Sequence, residues 1–257
     1  MNDIKSALLY TEKPSEFFDE LRENGTLENM LPELYALVGV PQNINYHKEG
    51  DAYTHTMMVL DEAAKRRDNA KNRLGFMLSA LCHDFGKAVS TTVSEDGTVH
   101  SYSHETEGLP IVKGFMERFS DDSKLTEYVL NMTKLHMEPN IMANARSKIK
   151  KTNRLFDSSA EPYDLILLSI CDGHGKIPQN IGSEEFLMQR YQAFLEIMSR
   201  PFVTERDLTD SGIVQGENLQ KILEYSHKLR LAGVEKDNAL RQSIAYAGSV
   251  LKIKVKE

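Results

Sequence analysis

Five ionisable side chains stand at the edges of apolar, helix-periodic stretches: His55 in DAYTHTMMVLD, His83 and Asp84 in ALCHDFGK, His104 in SYSHETEG, and Asp172 in ICDGHGK. A carboxylate or imidazole taken out of water is costly without a partner. A divalent cation can satisfy several of them together, and imidazole nitrogen and carboxylate oxygen are donors it accepts. Adjacent helical residues diverge by about 100°, so His83 and Asp84 reach one ion only if their helix ends there, an ending that Gly86 permits. The plainer alternative is that each histidine is a hydrogen-bonded core residue, a reading that applies with particular force to His136. The 28-residue interval from His55 to His83 fits no short zinc rule such as HExxH. On residue types alone, both readings stand.

The elements that must position these groups are helical. Leu74, Met77, Leu78 and Leu81 share one face at intervals of three and four, as do Leu125, Val129, Met132 and His136. Helices are expected near 54–68, 71–83, 105–119, 122–137 and 161–172, with others near 15–23, 28–38, 146–157, 184–199, 216–231 and 235–251. The run YDLILLSIC, residues 163 to 171, is almost wholly apolar and reads as a buried central helix. Gly86 and Gly173 follow two of these segments, where a helix can end in a left-handed residue. The one strand pair is TTVSEDGTVHSY, residues 91 to 102, with an Asp96-Gly97 turn between β-branched runs. The expected fold class is all-α with a small β-hairpin insertion.

Composition narrows the function classes. Over 257 residues, 31 Lys and Arg face 38 Asp and Glu, a net charge of −7 that argues against broad electrostatic binding of nucleic acid. Two cysteines, Cys82 and Cys171, make neither a disulfide framework nor a four-thiolate zinc site and are expected to stay reduced. The N-terminal residues show no secretory signal, and no segment approaches the roughly 20 apolar residues of a membrane span. A soluble, cytoplasmic protein without a membrane partner is expected. Arg146, Lys148, Lys150, Lys151 and Arg154 place five positive charges in nine residues, a cluster that either guides an anionic substrate or is a solvated helix face. The lone G-x-G of DGHGK follows a helical segment and has no nucleotide-fingerprint role.

The strings YHKEGDAYTHTMMVLDEA (46 to 63), ALCHDFGKAVSTT (80 to 92), SHETEG (103 to 108) and CDGHGK (171 to 176), in the order His, His-Asp, Asp, resemble the HD phosphohydrolase superfamily. Their nearest likeness is to the HD region of bacterial CCA-adding enzymes, the tRNA nucleotidyltransferases. A weaker likeness to the helical tail of those enzymes runs through residues 205 to 233. The resemblance implies an HD-domain helical bundle over residues 1–200, with a C-terminal helical extension over 201–257. It also implies that His55, His83, Asp84 and Asp172 ligate one divalent ion, for which nickel, manganese, cobalt, iron and magnesium all remain open. Asp84 would also orient the attacking water. Lys87 would match the lysine of the HDxGK string and hold a phosphate oxygen, while His104 stands where many members place a further histidine. His104 and, ranked below it, His136 would contact substrate, protonate a leaving group or bind a second metal. Arg154 is the residue of the basic run assigned to substrate.

The sequence has no Gly-Gly dipeptide, whereas the nucleotidyltransferase domain of CCA-adding enzymes carries a double-glycine motif, so nucleotide addition is not expected. The expected activity is metal-dependent hydrolysis of a phosphomonoester or 2′,3′-cyclic phosphodiester on a nucleotide or RNA end, with tRNA as a candidate partner. The alternatives are a nucleoside-monophosphate or deoxynucleotide phosphatase and a non-catalytic RNA-binding module. Oligomeric state is open.

Overall fold

The computed structural model describes residues 2–213 and 217–251. It is helical apart from one hairpin, as the periodicity requires. The chain divides into two compact units: Met1–Arg146 with Ser158–Leu187, and Ser147–Asp157 with Met188–Glu257.

The first unit begins with α1 (Asn2–Tyr10), which the sequence reading passed over, and α2 (Pro14–Glu23). The helix expected over 28–38 is two short turns, α3 (Leu27–Met30) and α4 (Pro32–Tyr35). Pro32 has no N–H to donate and disfavours helical geometry at Leu31, whose φ is −139°. The core is built from α5 (Ala52–Ala64), α6 (Arg73–Cys82), α10 (Ser123–Leu135) and α13 (Pro162–His174), with α5 packed on α6 and α13, and α6 on α10. All four of these helices start on a side-chain cap: Asp51 accepts from Thr54 N, Asn72 from Gly75 N, Asp122 from Lys124 N and Leu125 N, and Glu161 from Tyr163 N. Every residue of α13 from Asp164 to Gly173 is buried, so the apolar run is the central helix that its composition suggests.

Asp164 ties three of these helices together. Its carboxylate accepts from the backbone N–H groups of Lys71 (2.7 Å) and Asn72 (2.9 Å) and from the Tyr128 hydroxyl (2.7 Å), with no solvent exposure. Burial, and then the neighbouring Asp164 charge, push the Tyr128 phenol well above its ordinary pKa. Asp164→Ala leaves two amides and a hydroxyl without their acceptor, a loss of about 3 kcal/mol at 1–3 kcal/mol for each stranded buried donor. Urea denaturation reads it as a lower midpoint at constant m-value; a loss below about 0.5 kcal/mol would contradict the role.

Between α6 and α10 the chain makes α7 (Lys87–Ser90), the hairpin β1 (Thr91–Val93) and β2 (Val99–Ser101), α8 (His104–Glu107) and α9 (Leu109–Phe119). The strands pair antiparallel with Thr92 opposite His100, and the turn has Gly97 at φ 80°, as the Asp-Gly signal requires. The single helix expected over 105–119 is interrupted because Pro110 cannot donate back along the helix. After α10 comes α11 (Glu138–Asn144), a further helix that the sequence reading did not separate.

The second unit contains α12 (Ile149–Ser158) up to Asp157, most of α14 (Glu184–Ser199), α15 (Glu205–Asp210), α16 (Glu217–Leu231) and α17 (Lys236–Ser249). The first residue of the helix expected over 216–231 lies outside the described residues. Thr204 and Asp207 form a reciprocal capping box at the start of α15. Val203, Leu208, Ile213, Leu219, Ile222, Ala239 and Ala247 make a core, and the rings of Tyr225 and Tyr246 stack at 4.2 Å.

Candidate metal centre

Each predicted ligand lies where a helix begins or ends. His55 is in the first turn of α5, His83 caps the C-terminus of α6, and Asp172 is in the last turn of α13. His83 and Asp84 converge because the chain tightens after Cys82: Phe85 N donates to Cys82 O (3.1 Å) and Lys87 N to Asp84 O (2.9 Å). Gly86 does not supply a left-handed residue there, since its φ is −66°, and Gly173 lies inside α13. Both glycines serve close packing instead. A Cβ on Gly86 would lie 1.9 Å from His104 O, and one on Gly173 would lie 2.6 Å from Asn180 O. His104 opens α8 directly after Ser103, which is left-handed at φ 59°, and His136 caps the C-terminus of α10.

Four imidazoles share one orientation. Nδ1 faces a backbone carbonyl in each: Gly175 O for His55 (3.1 Å), Ala80 O for His83 (2.9 Å), Ser101 O for His104 (2.8 Å) and Thr133 O for His136 (2.7 Å). A carbonyl only accepts, so each Nδ1 carries the proton and each Nε2 lone pair is turned inward. The Nε2 atoms of His55 and His83 are 3.4 Å apart, as are those of His104 and His136. Two lone pairs at that separation repel unless a cation, proton or metal, sits with them. Asp84 lies between the pairs. Its Oδ2 is 3.2 Å from His83 Nε2 and 3.5 Å from His55 Nε2, and its Oδ1 is 3.1 Å from His104 Nε2 and 3.8 Å from His136 Nε2. Asp172 Oδ1 completes the first group, 3.2 Å from His55 Nε2. The Lys87 ammonium is 2.6 Å from Asp84 Oδ2 but out of hydrogen-bonding alignment, so this buried oxygen accepts no hydrogen bond among the described residues. The donor set therefore fits a divalent ion: His55, His83 and Asp172 form one group able to hold it, and Asp84, His104 and His136 another.

A match to the HD domain family covers residues 52–172, the interval from the start of α5 to Asp172. The chain carries an HD domain. Its relatives include the multifunctional CCA proteins of Paraburkholderia phymatum (37% identical over 59% of this chain and 34% of that protein) and Laribacter hongkongensis (35% over 65% and 41%). That of Pasteurella multocida is 29% identical over 88% of this chain and 53% of its own length. The chain spans about half or less of the length of these relatives.

The charges in the HD domain are mutually supported. Burial opposes ionisation of Asp84, but His83, Lys87 and His104 override it and hold its pKa well below the ordinary carboxylate value. Asp172 is held down against burial by His55, Lys176 and His83. Burial alone would lower His55, yet Asp172 and Glu49 raise it, and Asp84 does the same for His104. Burial, with His83 and His104 alongside, brings His136 down to about 3.

Glu49 was missed by sequence reasoning, although it lies inside the string YHKEGDAYTH. Its Oε1 is 3.2 Å from His55 Nδ1 and 2.7 Å from His47 Nδ1, and its Oε2 accepts from Ile177 N at 2.8 Å. Burial opposes its charge, but His55, the Ile177 amide and His47 hold its pKa at about 2. A carboxylate behind a ligating imidazole fixes the ring and raises its basicity. Glu49→Gln keeps the shape and removes that charge, and is expected to weaken metal affinity about 10-fold to 100-fold. A competitive chelator titration measures the change; unchanged affinity would place Glu49 outside the site. Gln42 was also missed: its Oε1 accepts from Lys87 Nζ at 2.7 Å and holds that side chain beside Asp84.

The structure thus brings together His55, His83, Asp84, Lys87, His104, His136 and Asp172; of these, all but His55 and His83 line a cavity of about 340 Å³, with Lys176 and His47 also on its wall. Arg154 is not among them. It lies on α12 in the second unit and lines a larger cavity there, of about 770 Å³, with Asp157, Phe202 and His227. Volume alone does not make chemistry, and no group able to hold a metal lines that cavity among the described residues.

Proposed function

We propose that the protein is a divalent-metal-dependent phosphohydrolase that cleaves a phosphomonoester or a 2′,3′-cyclic phosphodiester of a nucleotide or RNA end. The observation that carries this reading is the convergence of inward-turned imidazole Nε2 atoms on the buried Asp84 carboxylate. His55, His83, Asp84 and Asp172 would hold the ion. The ion would supply a Lewis acid for the phosphoryl oxygen and an acidified water as nucleophile. Asp84, kept ionised by its neighbours, orients the attacking water by accepting its hydrogen bond. Lys87 offers a nearly buried positive charge to a phosphate oxygen. His104, whose raised pKa favours the imidazolium, donates its Nε2 proton to the oxygen that leaves phosphorus. His136, kept neutral by burial, serves as a hydrogen-bond acceptor or an additional ligand at the same wall.

The likeness to CCA-adding enzymes supports a nucleotide or an RNA end as substrate, with tRNA among the RNA partners, and Arg154 is proposed to contact the RNA beyond its terminal phosphate. The free, buried thiols Cys82 and Cys171 suit a reducing cytoplasm, and no described helix is long and apolar enough to cross a membrane.

The test is a panel of 2′-, 3′-, 5′- and 2′,3′-cyclic nucleotides offered to metal-stripped protein reconstituted with nickel, manganese, cobalt, iron or magnesium. Turnover of the 2′- and cyclic compounds only after reconstitution is expected. Turnover restricted to 5′-monophosphates would make the protein a nucleoside-monophosphate phosphatase. Equal turnover without metal would overturn the mechanism.

A further inference from the structure

The cavity that holds the metal-facing groups has an outer wall that the hydrolytic chemistry does not use. Strand periodicity puts His100 and Tyr102 on one face of the hairpin's second strand and its continuation, and their rings lie parallel, 12° apart in plane and 4.9 Å between centroids. Ser103 then turns left-handed, so that His104 enters the site while Tyr102 stays outside at 73% exposure. Ser101, on the opposite face, bonds to Thr91 Oγ1 (2.8 Å) and holds the hairpin in register, so the His100–Tyr102 pair is carried on a fixed backbone.

A second exposed ring lines the same cavity. Tyr46 is 65% exposed, on a turn in which Tyr46 N and His47 N both donate to Asn43 O at 2.9 Å. Neither Tyr46 nor Tyr102 makes a side-chain hydrogen bond among the described residues. Burial in the core therefore does not account for either ring. Both flank a cavity whose inner wall carries Lys87 and Lys176, and at about 340 Å³ it is at the small end of the ~300–1,000 Å³ range of ligand sites. That is room for one nucleotide-sized unit, with its phosphate toward the lysines and Asp84.

We propose that Tyr102, stacked on His100, and Tyr46 form a base-stacking platform that selects phosphate esters carrying a heteroaromatic base. The proposal rests on the phosphohydrolase reading and names the part of the substrate recognised away from phosphorus. Stacking reads the flat face of a base rather than its hydrogen-bonding edge, so the platform admits all four bases and rejects a sugar phosphate lacking one. Such selection suits an enzyme that accepts nucleotide ends of varied sequence.

The experiment compares adenosine 2′,3′-cyclic phosphate with base-free ribose 5-phosphate and glycerol 2-phosphate, using metal-loaded protein and its Tyr102→Ala, Tyr46→Ala and Tyr102→Phe variants. Calorimetry measures binding of adenosine 2′-monophosphate in parallel. Each alanine variant is expected to lower the ratio of kcat/KM for the nucleotide over that for a base-free ester about tenfold, mainly through KM, and to weaken nucleotide binding by a similar factor. Tyr102→Phe, which keeps the ring, is expected to retain both. Metal-dependent turnover that ignores the base, or alanine variants that depress all esters equally, would overturn the platform and leave the hydrolase standing. Nucleotide binding that depends on the tyrosines in a protein that hydrolyses no ester would uphold the platform and overturn the hydrolase reading.

Discussion

Asp84→Asn is expected to cut metal-dependent turnover by about 10³-fold or more, the scale of losing a positioned acid–base group, with loss of metal affinity adding to it. The substitution keeps the side chain's volume and removes one negative charge from a point that four imidazole Nε2 atoms and Lys87 Nζ approach within 3.8 Å. Those groups are arranged around an anion. A neutral amide at this position keeps a single acceptor oxygen, and its nitrogen points a donor at imidazoles whose partner should be a cation. Metal content by mass spectrometry and turnover by phosphate release measure the two losses separately. Retention of both within tenfold would remove Asp84 from the centre of the account.

Gly86→Ala is expected to lower stability by about 3 kcal/mol, at the upper end of what overpacking a buried site costs. The clash is steric rather than torsional: φ at Gly86 is −66°, which alanine adopts freely, but its Cβ would lie 1.9 Å from His104 O and 2.7 Å from Gly108 N. Both atoms are backbone, so relief requires α8 to move, and His104 moves with it. Reduced turnover should therefore accompany the lower urea midpoint. Gly114→Ala is the control within the same region: nothing lies within 4 Å of that Cβ, the position is inside α9, and a gain of about 0.5–1 kcal/mol is expected. Equal effects at the two glycines would contradict the close-packing argument.

What the sequence makes legible follows from where the information is local. Helix α10 begins at its Asp122 cap and keeps its apolar face, and the Asp96-Gly97 turn sets the hairpin register, because both depend on neighbours within a few residues. Helix α1 was passed over although Ile4, Ala7 and Leu8 carry the right spacing, since nine residues give a weak periodic signal. The interruptions at Pro32 and Pro110 were legible as prolines but were absorbed into longer apolar patterns. The roles of Gly86 and Gly173 were not legible, because each is set by backbone from elsewhere in the chain. The candidate ligands His55, His83, Asp84 and Asp172 come from the family resemblance, not from spacing; residue types alone could not separate a metal site from four core groups. Glu49 and Gln42 act behind His55 and Lys87, and only the folded chain brings those pairs together.

Diffraction at a metal absorption edge from manganese-loaded crystals locates the bound ion. An anomalous peak is expected within about 2.3 Å of His55 Nε2, His83 Nε2 and carboxylate oxygens of Asp84 and Asp172. Saturating manganese with no peak among those four side chains would contradict the proposed ligand set.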